Sequence, residues 1–174
     1  MPPTQRPVSA RTRGVVASAV PALVLALAGC GTDAVPVDRP PLAPDDERAC
    51  SELVESLPDT LAGLERREVE PASAPAAAYG DPALTVVCGG PMPPGFDEFA
   101  ECQEVGGVGW YIPPDQVTDP TREPFTDATL GSVHVDPVVA VTVPAEYRPE
   151  GLAAAQSELA PYVLEHLTRT DRCV

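Results

Sequence analysis

Apolar positions recur at helical spacing near both ends of the chain. Cys50, Leu53, Val54 and Leu57 follow a polar start at Asp45, Asp46 and Glu47, so a helix is predicted from Asp45, as cap, to Leu57, with Pro58 as its stop. Leu152, Ala155, Leu159, Val163 and Leu167 form the apolar stripe of a second helix, opened by Pro149 and expected to kink or split at Pro161. Between the two, the pattern changes to short runs of β-branched and aromatic residues. Residues 84–88 and 108–112 read as strands, and residues 133–143 as strand interrupted at Asp136-Pro137. Residues 64–70 alternate weakly, as an edge strand would. Residues 71–78, 90–96 and 115–129 read as loops, and no internal repeat is visible. Helices at both ends with strands between predict an α+β domain, an antiparallel-rich sheet with the N- and C-terminal helices packed on one face.

The first thirty residues have a different character. Arg6, Arg11 and Arg13 precede an apolar stretch from Val15 to Ala28, followed at once by Leu27-Ala28-Gly29-Cys30. A basic start, a short apolar segment and small residues at a cut site are the layout of a secretory signal. The stretch is shorter than the roughly 20 residues that span a bilayer, and Pro21 interrupts it. The tetrapeptide resembles the lipobox of bacterial lipoproteins. That resemblance implies diacylglyceryl on the Cys30 thiol, cleavage before it and a stable two-chain anchor on the outer face of a membrane. The organisation expected is therefore a signal peptide over 1–29, a lipidated cysteine with a tether carrying Pro36, Pro40, Pro41 and Pro44 over 30–44, and an extracytoplasmic domain over 45–174.

Composition sharpens this picture. With aromatics at 5%, a core of Val, Leu and Ala buries less area per residue, so disulfides are expected to carry part of the stability. Setting Cys30 aside leaves Cys50, Cys88, Cys102 and Cys173, an even number in an exported chain. Of three pairings, Cys88–Cys102 with Cys50–Cys173 is the one expected, closing a Pro/Gly-rich loop and tying the first helix to the C-terminal end. No Cys-x-x-Cys pair exists and the histidines are His134 and His166, so no metal is expected. The chain has no Lys. Behind Cys30 stand 8 Arg against 26 Asp and Glu, a charge of 8 − 26 = −18, which argues against nucleic acid and against an electrostatic grip on anionic lipid.

Ala78-Tyr79-Gly80-Asp81-Pro82, then Cys88-Gly89, then Gly107-Val108-Gly109-Trp110 and Val141-Thr142-Val143-Pro144 together resemble an actinobacterial lipoprotein family known as domain of unknown function 3515. The family usually has Trp where this chain has Tyr79. The resemblance implies export and one compact domain. It implies no activity and no catalytic residue.

The residues themselves offer little chemistry. Gly80-Asp81-Pro82 makes a turn into a strand, and Asp81 lacks a partner that would make it a general base. Trp110 and Tyr111 are neighbours on one strand and face opposite sides, one towards the core, and core packing is the better reading of Trp110 than a contact role. Asp97, Glu98 and Glu101 lack the alternating spacing of a calcium loop. No nucleophile elbow or phosphate loop is present, and no cofactor is expected. The expectation is a non-enzymatic module that contacts another envelope protein, with Tyr79, Asp81, Trp110 and Tyr111 as candidate contact surface. The alternative is a binder of a small envelope ligand such as a cell-wall fragment or lipid. A hydrolase using Asp81 ranks third.

Overall fold

The computed structural model describes residues 34–97, 99–117, 126–148, 150–171 and 173. The expected signal peptide, Cys30 and Pro149 lie outside them. The elements in chain order are β1 (Val35–Pro36), α1 (Pro44–Ser56), β2 (Thr60–Leu61), β3 (Leu64–Arg67), β4 (Val69–Glu70), β5 (Ala76–Tyr79), β6 (Leu84–Cys88), β7 (Gln103–Val105), β8 (Val108–Tyr111), β9 (Ala128–Val133), β10 (Val135–Asp136), β11 (Val139–Val143), α2 (Glu150–His166) and β12 (Thr168–Arg169). A short 3-10 turn, Ala145–Tyr147, leads into α2. Eight strands form one antiparallel sheet in the order β2-β3-β5-β6-β11-β9-β8-β7. Two small pairs accompany it, β1 with β4 in parallel and β10 with β12 antiparallel. This is the α+β architecture that the hydrophobic pattern predicts.

Strand alternation sorts the sheet into two faces. Ala77, Tyr79, Leu84, Val86, Cys88, Val139, Val141, Val143, Leu130, Val108 and Trp110 form one core with the buried stripes of both helices. Leu152, Ala155, Leu159 and Val163 are buried as the spacing requires, each worth roughly 1.5–3 kcal/mol for the larger side chains. α2 runs across Pro161, so the ring does not split it. α1 begins one residue before Asp45: Pro44 occupies the first turn and Ala43 precedes it, with Asp45, Asp46 and Glu47 favourable at the positive end of the helix. No basic side chain of its own caps the other end. Arg66 of β3 does so instead, donating from its two Nη atoms to the carbonyls of Leu57 and Val54 at 2.8 Å each.

The cysteines pair as Cys50–Cys88 and Cys102–Cys173, not as expected. The reason is strand order. Cys88 ends β6, whose inward face lies under α1, so Cys50 meets it directly. Cys102 enters the edge strand β7, where the chain following β12 returns. The folded part also starts upstream of the expected boundary. Val35 and Val37 donate to the carbonyls of Glu68 and Glu70 at 2.8 and 2.9 Å, and Leu42 packs onto Gly89. Of the expected tether, residues 34–43 are therefore docked on the domain.

Candidate functional site

The face of the sheet turned away from the helices is built from small residues. Thr142 of β11 stands in register with Thr85 of β6 and Thr129 of β9, and the next row holds Ala140, Val87 and Gly131. The segment Met92-Pro93-Pro94 crosses this face, and it lies so close that a Cβ on Gly131 would meet Pro93 at 2.7 Å. A slot of about 310 Å³ remains between that segment and residues 36–38, floored by the threonines.

A larger cleft of about 730 Å³ opens at the end of β8. Its walls are built by local turns. After Pro94, Gly95 adopts φ +83°, which only glycine holds at low cost, and the amide of Phe96 returns to the Pro93 carbonyl. The turn lays Phe96 edge-on against Tyr111, with centroids 5.3 Å apart, and the Tyr111 hydroxyl donates to the Pro94 carbonyl at 3.2 Å. Asp97 then accepts from the Phe99 amide at 2.8 Å, an Asx-type turn that leaves the Phe99 ring 84% exposed. In the segment that follows β8, the amides of Gln116 and Val117 bond to the Pro113 carbonyl at 2.8 and 3.2 Å. The Gln116 side chain holds the Thr129 amide at 2.7 Å. Arg148, buried, donates to the Gln116 carbonyl and to that of Thr126. Burial lowers its pKa below the usual guanidinium range, against the opposing charge of Asp127. Val117, at the end of this braced segment, is 60% exposed. Asp97, Glu101 and Asp115 stand around the cleft, and among the described residues none that lines it is basic.

The expected contact residues separate. Tyr79 is fully buried on the helix-facing side, with its hydroxyl donating to the Pro58 carbonyl at 3.1 Å. Burial raises its pKa above 10.0, with the Arg66 charge opposing the rise. Trp110 is likewise fully buried, and its indole Nε1 has no hydrogen-bond partner. Neither ring is an exposed surface. They belong to the core because register puts them opposite Leu84 and Ser132 on inward-facing positions. Tyr111 faces the other way and lines the cleft. Asp81 is exposed and pairs with Arg67 at 3.4 Å. Its carboxylate lies on the far side of the sheet order from the cleft, so the four residues do not form one surface. His134 is exposed at φ +57° in the link between β9 and β10, and His166 ends α2. Among the described residues, no three His, Cys, Asp or Glu side chains converge as a metal site.

Sequence reasoning missed Phe96, Phe99, Ile112 and Val117. A signal for them existed: large apolar residues isolated in acidic, proline-rich segments have no periodicity that would bury them.

A two-helix, two-disulfide α+β domain with an apolar, acid-rimmed cleft at one end of its sheet is thus the class of protein the fold defines. The profile of a family described as "Protein of unknown function (DUF3515)" matches residues 14–171, and the chain belongs to that family. No curated protein matches the chain, and no solved structure does. Among the described residues, no helix is long and apolar enough to cross a membrane.

Proposed function

We propose that the chain is a non-catalytic interaction module of the cell envelope. Lipid on Cys30 holds it at the extracytoplasmic face of a membrane, and the cleft beside Tyr111 binds a protein partner. The observation that carries this reading is the exposure of Phe99 and Val117, at 84% and 60%, in the lining of one cleft. Backbone turns hold these side chains out in water, where a free monomer gains nothing from them, and a partner gains by covering them. The basic-then-apolar start ending in Leu27-Ala28-Gly29-Cys30 supports the anchor.

The test uses the full chain in intact cells with a photo-reactive residue at position 99, and a control at Glu52 on the exposed side of α1. One defined protein adduct from position 99, lost in Cys30→Ser, is expected. The same adducts from both positions, or none from position 99, would end the interaction reading. Fatty-acid labelling that persists in Cys30→Ser would end the anchor.

One observation favours a second reading, a binder of a small envelope ligand. The slot over Thr85, Thr142 and Thr129 sets a row of threonines beside apolar proline walls, with the Thr129 hydroxyl donating to the Gln116 side chain at 3.1 Å, a mixture suited to a sugar ring. Amide shifts confined to these threonines on adding cell-wall fragments would move the function there.

A further inference from the structure

We infer that the partner segment is extended, alternates apolar with cationic side chains, and adds to the outer edge of β7 as one further strand that runs into the cleft. The inference rests on the cleft being the interaction site and specifies how it is used.

The sheet ends at β7. Gly106 and Gly107, at φ +61° and +86°, form a two-residue hairpin turn of the I′ kind between Val105 and Val108. In such a hairpin the flanking pair, Val105 with Val108, exchanges both hydrogen bonds. The alternation then makes Gln103 with Trp110 the next bonded pair, and Glu104 opposite Gly109 the non-bonded one. The amide and carbonyl of Glu104 therefore point away from β8, to the open edge. Gln103 and Glu104 are both exposed. β7 is continuous with Cys102, and Cys102 and Gln103 also line the cleft. A strand added at Glu104 is thereby led along the wall that carries Phe99.

Charge selects the occupant. β7 carries neither Lys nor Pro, which often blunt open edges. Its one charge is Glu104, and Asp97, Glu101 and Asp115 line the cleft with no basic residue among the described ones beside them. A second copy would bring Glu104 against Glu104 and a formal charge of −15 against −15. A segment with Lys or Arg at alternate positions meets complementary charge at Glu104 and around the cleft, and its far end stops short of Arg169, which holds the Gly107 carbonyl at the hairpin.

The experiment selects decapeptides from a random display library on the full-length chain, then measures synthetic versions by anisotropy. Enriched peptides should alternate apolar with Lys or Arg. Affinity should fall about tenfold on Glu104→Pro, which removes an outward-facing donor together with the carboxylate and leaves the β8 ladder intact, and should fall less on Glu104→Gln, which removes the charge alone. N-methylation of every second peptide amide should abolish binding in one phase and be tolerated in the other. Glu104→Lys should reverse the charge preference. Enrichment of non-alternating or acidic peptides, indifference to Glu104→Pro or to methylation phase, no enrichment at all, or edge-dependent self-association each overturns strand addition. A Phe99→Asp loss of binding beside an unaffected Glu104→Pro would leave the cleft as the site and remove only the edge. Loss of neither would remove both.

Discussion

Gly109 lies against Cys173: a Cβ on Gly109 would sit 2.6 Å from the Cys173 sulfur and 2.8 Å from Cγ2 of Val133. The strand β8 is thus the bed on which the returning chain is laid before it reaches Cys102. Gly109→Ala must push the sulfur away or bend the strand, an overpacking cost of roughly 1–3 kcal/mol. Urea unfolding should show that loss of stability, with an unchanged midpoint counting against the contact.

The two disulfides should differ in reactivity. Cys50 and Cys88 are fully buried, whereas Cys102 and Cys173 are only half-buried. Loops of 38 and 71 residues give each about 4 kcal/mol by chain-entropy arithmetic, so access and not loop length separates them. Mild reduction followed by alkylation and mass spectrometry should label Cys102 and Cys173 first. Equal labelling of all four would show that the core opens as easily as the edge.

Arg66 closes α1 from another element, satisfying two carbonyls that the helix leaves open. Arg66→Met keeps much of the stem and removes both bonds. The expected destabilisation is about 1.5–3 kcal/mol, with amide exchange rising first in the last turn of α1. Uniform exchange along the helix would contradict a local cap.

Tyr79 gives a pH dependence of known sign. Its folded pKa is raised above 10.0 by burial, so the folded state keeps the proton when the unfolded chain loses it. Its contribution is complete below pH 10.0 and is lost as pH rises through the folded value. Tyr79→Phe should lower stability at neutral pH by about 1 kcal/mol through the lost Pro58 bond, yet flatten the alkaline loss. Parallel wild-type and variant profiles above pH 10.0 would place the alkaline transition elsewhere.

The pattern of side chains reveals elements where burial is periodic and fails where it is not. Leu159 and Val163 announce α2, and Leu84-Thr85-Val86-Val87-Cys88 announces β6, because each buries a repeating face. β5 is three alanines and Tyr79 beside Pro71 and Pro75; sheet neighbours on both sides, not propensity, make it a strand. β7 is polar because it is an edge. The disulfide pairing depends on which strand lies under α1, information that no local stretch contains. Core packing is already the better reading of Trp110 from sequence, whereas Tyr79 looks like a contact residue as a lone aromatic near a turn. Register shows that both point inward. The exposed ring of the cleft reverses this: Phe99 has no pattern because none of the described residues covers it.

The docking of residues 34–43 has a mechanical meaning. Tension applied ahead of Ala34 would first break the two bonds from Val35 and Val37 to the β4 side, then peel Leu42 from Gly89, then unwind the first turns of α1. It would stop at Cys50, where the covalent link to Cys88 passes the load into the middle of the sheet. The seventeen residues from Ala34 to Cys50 could be drawn out in steps to an extended length of roughly 55 Å, while the cleft beyond that bond kept its shape.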